Sequence, residues 1–366
     1  MRFRLIILFV FVYSFSAAQS VLKTGFDAQE YLTLLSVSGL KGGADSVQIA
    51  ELRNSYKRVY RAPVTGLSNR WSLYINEASK TGIISIRGTV GNDTSWAANY
   101  YFAMVPAQGT IDFGNKKFEY KLAESKDAAV HAGWTIALAS MADDVENKIK
   151  EYYSKGIKEF YVFGHSQGGA IAFLMRSHLH YRQKVGALPK DVFFKTYCSA
   201  PPKPGNMQYV YDYDFITRNG WSFSVVNAKD WVCESPFTVQ TMQNMNQHNP
   251  LVNMKSSFAD MTFFKRLALN HLFNKVEKKP EKTQEMYIKY FGNGFYKMSI
   301  SKMLPGLKEP DYMQSINYMR AGSPVILMPD ANYLKLFNEN DPKHSKNYFL
   351  HHTYDAYYYL LKKDYL

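Results

Sequence analysis

Apolar residues in this chain fall into short unbroken runs, separated by longer stretches with helical spacing. Phe160-Tyr161-Val162-Phe163 is such a run, and the absence of alternation predicts a strand buried on both faces. After it come Gly164-His165-Ser166-Gln167-Gly168-Gly169-Ala170 and then Ile171-Ala172-Phe173-Leu174-Met175, which opens a helix with small residues on its first turn. Upstream, residues 27–40 predict a helix capped by Asp27, with Ala28, Tyr31, Leu32, Leu34 and Leu35 spaced for one face. Residues 71–76 and 82–87 predict strands joined by a short Lys80-Thr81-Gly82 turn. A long helix is predicted over 128–153, striped by Trp134, Leu138, Ala142, Val145 and Ile149 and stopped by Gly156. Two further strands follow at 191–198 and 221–226. Strand, helix, strand, helix is the grammar of a mostly parallel sheet flanked by crossover helices, which places the chain in the α/β class.

The pattern changes over residues 236–328, where methionine mixes with phenylalanine and tyrosine. An amphipathic helix over 257–273 would put Met261, Phe264, Ala268 and Leu272 on one face. We read the segment as a mostly helical insertion capping the sheet ahead of the last helix, not as an independent domain. Its soft side chains suit either varied apolar ligands or an ordinary core. The closing helix begins near Thr353, with Tyr354, Tyr358 and Leu361 buried.

The termini and charge adjust this picture. Residues 1–18 carry Arg2 and Arg4, an apolar run and then Ser16-Ala17-Ala18, the layout of a cleaved secretory signal peptide. That predicts an exported protein, secreted or periplasmic, whose residues 19–366 form a single domain. The formal net charge is +13. The lysines are scattered, and at 275–282, where they are densest, glutamates interrupt them. Nucleic acid is not the expected partner, since its binders present a continuous basic face. Transient attraction to an anionic lipid surface and simple solubility both fit the balance. Cys198 and Cys233 each follow a predicted core strand, so a disulfide and two free thiols both remain open. Two cysteines are too few for a metal site built on them, and no metal or organic cofactor is expected.

The chemistry is concentrated at Gly164-His165-Ser166-Gln167-Gly168. A serine hydroxyl becomes a useful nucleophile when a sharp strand-to-helix turn holds it out beside a base, and that turn tolerates only small flanking residues. The helix behind Ser166 aims free N–H groups at the place where an oxyanion would form. Ile86-Arg87-Gly88-Thr89 ends a strand with a hydroxyl residue able to offer a second donor. Asp230 stands just past the 221–226 strand, on the edge where α/β sites form. His351 and His352 precede the last helix, within reach of that edge. The cluster Trp96, Tyr100, Tyr101 and Phe102 reads either as a small aromatic lid or as a helix packed on the core.

Four segments, Ile86-Arg87-Gly88-Thr89, Val130-His131-Ala132-Gly133, the Ser166 elbow and Val226-Asn227-Ala228-Lys229-Asp230, resemble in order and spacing the class 3 lipases of the α/β-hydrolase fold. His352-Thr353-Tyr354-Asp355-Ala356-Tyr357 looks like that family's closing histidine and helix, the spacing to Tyr357 favouring His352 over His351. The resemblance implies a Ser166–Asp230–His352 triad, an oxyanion hole from Gln167 N–H and Thr89, and a lid near Trp96. It also implies a carboxylic-ester hydrolase, most simply a lipase acting on acylglycerols. A phospholipase or a polysaccharide-side-chain esterase is the enzymatic alternative, and a binding protein on a hydrolase scaffold the non-enzymatic one. Two departures stand out: Gln167 replaces the usual leucine, and the interval between Asp230 and His352 is far longer than the family's.

Overall fold

In the computed structural model of the chain, residues 21–246, 248–249, 261–344 and 346–366 are described; the expected signal peptide and residues 257–260 of the expected amphipathic helix lie outside them. The apolar runs form one seven-stranded sheet whose spatial order follows the chain. Its strands are β1 (Lys57–Arg61), β2 (Trp71–Asn76), β3 (Thr81–Ile86) and β4 (Glu159–His165). They continue with β5 (Phe193–Ser199), β6 (Ser222–Asn227) and β7 (Ser323–Leu327). Only β2 runs against its neighbours; from β3 to β7 every pairing is parallel. Lys57, Arg58 and Arg61 give the outer strand β1 a charged edge, which discourages pairing with another sheet.

The helices that bear on the site and its surroundings include α1 (Ala28–Ser38), α2 (Asp93–Tyr100), α3 (Ala132–Ser154) and α4 (Gln167–Lys184). After them come α5 (Met207–Ile216), α6 (Phe263–Tyr287) and α7 (Tyr354–Tyr365). Successive crossovers that all step the same way across a sheet place their helices on one face. Accordingly α3, α4 and α5 share one core with Ile84, Phe160, Val162 and Phe194. The opposite face, with Tyr161, Phe163, Tyr197 and Val225, is covered by the two ends of the chain, α1 and α7. Phe160 and Tyr161 thus bury in opposite cores, and this is why the run lacks a polar alternate.

Two expectations need correction, and the open question of the cysteines is answered. The interval 236–328 is not purely an inserted cap: its end supplies β7, which pairs with β6 and buries Val325 and Leu327. The amphipathic helix begins at Phe263 and runs on to Tyr287, and its expected capping face is exposed: Met261 at 40%, Phe264 at 80% and Leu272 at 60%. Cys198 and Cys233 are both buried free thiols, not a disulfide. In addition, α6 leads into two stretches of π-helix, Ile288–Gly294 and Tyr296–Ile300, wider-wound turns that the 3.6-residue period does not anticipate.

Candidate active site

The parallel strands end at one edge, and the loops leaving it carry the chemistry. β4 passes directly into Ser166, which is held at φ 61 and ψ −132. A side chain rarely adopts that conformation, and such strain persists only where the surroundings enforce it. Here the backbone is clamped on both sides: Ser166 N–H donates to Ser199 O at 2.9 Å, and Gly169 N–H donates to Ser166 O at 2.8 Å. The turn closes because Gly164 and Gly168 have no side chains. A Cβ on Gly164 would lie 2.1 Å from Gly168 O, and one on Gly168 would lie 2.3 Å from Ile86 O.

Asp230 lies three residues beyond β6, fully desolvated, and His352 lies just ahead of α7. His352 Nδ1 is 2.7 Å from Asp230 Oδ2. A carboxylate accepts, so Nδ1 carries the proton and Nε2 of the neutral ring keeps its lone pair. Nε2 is buried and has no hydrogen-bond partner among the described residues. The ring stands in the wall of the cavity that Ser166 also lines. Asp230 is oriented by three further donors, Tyr357 Oη at 2.7 Å, Val232 N at 3.0 Å and the weaker thiol of Cys233 at 3.6 Å. Tyr357 Oη in turn accepts from Asn227 N at 3.1 Å, which ties α7 to the end of β6. His351 is committed elsewhere, its Nδ1 2.7 Å from Tyr333 Oη and its Nε2 2.8 Å from Glu339.

Thr89 follows β3 and lines the same cavity. Its Oγ1 accepts from Asn99 Nδ2 at 3.0 Å, which leaves the hydroxyl proton available to donate. Asn99 was not singled out in the sequence, yet it links several parts of the site. Its Oδ1 accepts from Gln167 Nε2 at 2.8 Å and from Trp134 Nε1 at 3.2 Å, and its carbonyl accepts from His131 at 3.1 Å. The Gln167 side chain also donates to Ser95 O at 3.0 Å, so it braces α2 against the elbow while its backbone N–H opens α4. A leucine there could make neither bond, so the glutamine fits a polar junction.

His165 is buried beside Ser166, and its ring lies 4.8 Å from that of His352. Its Nε2 donates to the His352 carbonyl at 2.8 Å, and its Nδ1 accepts from Ser199 Oγ at 2.9 Å. Ser199 Oγ is itself 2.6 Å from Tyr31 Oη on α1. Burial, and then the neighbouring His352, hold His165 well below the ordinary histidine pKa. Its ring is therefore a neutral strut between the two loops. His131, which caps α3, is buried likewise and pushed down to about 3.

The cavity holds about 660 Å³, within the usual range for small-molecule sites of roughly 300–1,000 Å³. Trp96, Tyr100, Phe102, Trp231 and Phe349 supply its apolar walls. Trp96 belongs to α2, whose Ala97 and Ala98 are buried while Tyr100 is 46% exposed, so the helix is both packed on the core and part of the cavity wall. Among the described residues, no group of three or more His, Cys, Asp or Glu side chains is placed to hold a metal.

A mostly parallel sheet with crossover helices and a strained serine at a tight strand-to-helix turn defines a protein of the α/β-hydrolase fold. Residues 83–240, from β3 past Asp230, match the family model for lipase (class 3). No curated protein sequence matches the chain. Among solved structures it is similar to a fungal lipase in complex with an inhibitor, 19% identical over 57% of this chain and 73% of that one, with a TM-score of 0.43. It is also similar to the Rhizomucor miehei lipase bound to its propeptide, at 17% identity over 58% and 64% of the two chains and a TM-score of 0.42. A third is the lipase from Rhizopus microsporus var. chinensis, at 22% identity over 58% and 71% and a TM-score of 0.38.

Proposed function

We propose that the protein is an exported lipase that cleaves acylglycerols through Ser166, His352 and Asp230. The observation that supports this most is the buried His352 ring, bonded to Asp230 on one side and unpartnered at Nε2 on the other. Ser166 Oγ attacks the ester carbonyl carbon while its proton passes to Nε2. The tetrahedral oxyanion is held by Gln167 N–H and by Thr89, and such donors are each worth about 2.7–4 kcal/mol of barrier. When the C–O bond breaks, the imidazolium returns the proton to the leaving alcohol. Water then attacks the acyl-enzyme by the same route, releasing the acid and restoring the serine. The aromatic walls favour an apolar acyl chain, and the pattern of residues 1–18 favours export.

A fluorophosphonate probe tests the nucleophile: the intact protein should be labelled, and Ser166→Ala should not. Label retained by Ser166→Ala overturns the assignment. Emulsified triolein against short p-nitrophenyl esters tests the substrate, since activity confined to soluble esters argues against a lipase. A phospholipase reading has one observation of its own. Lys41 and Arg87 line the cavity, and Arg87 Nε is buried without a partner that a phosphate could supply. Hydrolysis of phospholipid in preference to triolein, lost in Arg87→Gln, would favour it. N-terminal sequencing of protein recovered outside the cytoplasm tests the cleavage.

A further inference from the structure

We infer that the exposed face of α6 is a docking surface for an anionic lipid layer. The helix has 25 residues and so measures about 37 Å. It lies beyond the family-matched segment. Its inward side carries Leu269, Phe273, Gln284 and Tyr287, all partly or fully buried. The outward side divides along its length. Phe264, Leu267, Ala268 and Leu272 are exposed over the first turns, and Lys275, Lys278, Lys279 and Lys282 are exposed over the following ones. Phe264 at 80% and Leu267 and Leu272 at 60% each are large apolar side chains in water, and three so close together on one face call for a partner.

The lysines indicate which one. An apolar stripe that met only another protein core would not need a block of cations continuing the same face. A lipid layer offers both parts: acyl chains for Phe264, Leu267 and Leu272, and anionic headgroups for the four lysines. The far end of the helix is fixed at the active site. The Tyr287 ring lies 5.2 Å from that of Phe291, Phe291 lies 5.2 Å from Phe102, and Phe102 lines the cavity. A lipid layer held by α6 is therefore held by an element continuous with the cavity wall. This deepens the lipase reading and rests on it for its purpose, but the binding itself needs no catalysis.

Vesicle co-sedimentation of the whole chain carrying Ser166→Ala separates the two. It should bind phosphatidylglycerol vesicles more strongly than phosphatidylcholine vesicles, and raised salt should weaken it. Changing Lys275, Lys278, Lys279 and Lys282 together to Gln, or Phe264 and Leu272 together to Ser, should each weaken binding at least about tenfold. With Ser166 restored, both variants should hydrolyse p-nitrophenyl butyrate as the parent does, which also shows that they fold. Undiminished vesicle binding by either variant overturns the proposal. So does a parent that is dimeric and becomes monomeric with Phe264→Ser and Leu272→Ser, since a second copy then covers the face. Loss of fluorophosphonate labelling with vesicle binding intact would refute the enzyme and leave the surface standing.

Discussion

The corner around Ser166 and the outer surface of α6 sit at opposite extremes within one chain. In the corner nearly every polar atom is answered: Ser166 is clamped by two backbone bonds, Asp230 by four donors and His165 at both nitrogens. Along the outward side of α6 the large side chains face water, and at its C-terminal end Gln284 and Tyr287 are buried. The difference teaches that this molecule spends packing on holding a few atoms at one sheet edge and leaves the long insertion to meet something outside. If so, substitutions in the corner should be felt as lost chemistry or lost fold, and those on α6 as neither.

The largest effects belong to the chemistry. Ser166→Ala should lower ester hydrolysis by on the order of 10⁴–10⁶-fold, while the melting temperature stays level or rises because alanine leaves a cavity-facing site without a buried partner. Asp230→Asn should cost roughly 10⁴-fold in kcat, since an amide can force the wrong imidazole tautomer. Tyr357→Phe removes one of four donors to Asp230 and should cost only about tenfold, with KM little changed. Steady-state kinetics on a soluble ester read all three, and equal losses for Asp230→Asn and Tyr357→Phe would mean that the carboxylate does not act through His352.

Next come effects on the fold. A Cβ on Gly168 would meet the carbonyl of Ile86 at 2.3 Å, and backbone has nowhere to go between two strand ends. Gly168→Ala should therefore cost about 3 kcal/mol or more in urea unfolding, beyond the usual overpacking penalty of roughly 1–3 kcal/mol. A loss below about 1 kcal/mol would show that the elbow is looser than its contacts imply.

These same residues explain what could be read from the sequence. The elbow was legible because strain needs glycine at fixed offsets from the serine, and that requirement is local. The parallel sheet was legible because both-face burial forbids polar alternates in the Phe160–Phe163 run of β4. Asn99 was not legible: its role comes from meeting Gln167, Thr89 and Trp134 across three elements, and nothing in Ala97-Ala98-Asn99-Tyr100 announces it. β7 was missed because Pro324-Val325-Ile326-Leu327 sits behind methionine-rich sequence and offers a single short run. The exposure of α6 was missed for a general reason. An amphipathic period shows that a helix has an apolar face, but it cannot show whether protein covers it.

Buried neutral histidines give a third, intermediate test. His131 and His165 are held below their ordinary pKa in the folded state, chiefly by burial. The unfolded chain takes up protons near 6.5 while the folded chain does not, so stability falls as pH drops below that value. Each group contributes up to roughly 1.4 kcal/mol per pH unit, and for His131 the loss continues down to about 3. Denaturant midpoints measured from pH 7 to pH 4 should decline, and His165→Asn should decline less steeply. A parallel decline would mean that His165 is already charged in the folded protein.

The smallest expected effect is the most pointed. Phe163 and Phe264 are the same residue type in the two regions, one fully buried between the sheet and α1, the other 80% exposed on α6. Phe163→Ala should cost about 3–5 kcal/mol through lost transfer energy and the cavity left behind. Phe264→Ser should stay within about 0.5 kcal/mol, because the folded and unfolded states expose that ring almost equally. Chemical denaturation of the dilute protein reads both. If Phe264→Ser costs more than about 1 kcal/mol, the ring is covered in the free protein, and the contrast between a satisfied corner and an open helix does not hold.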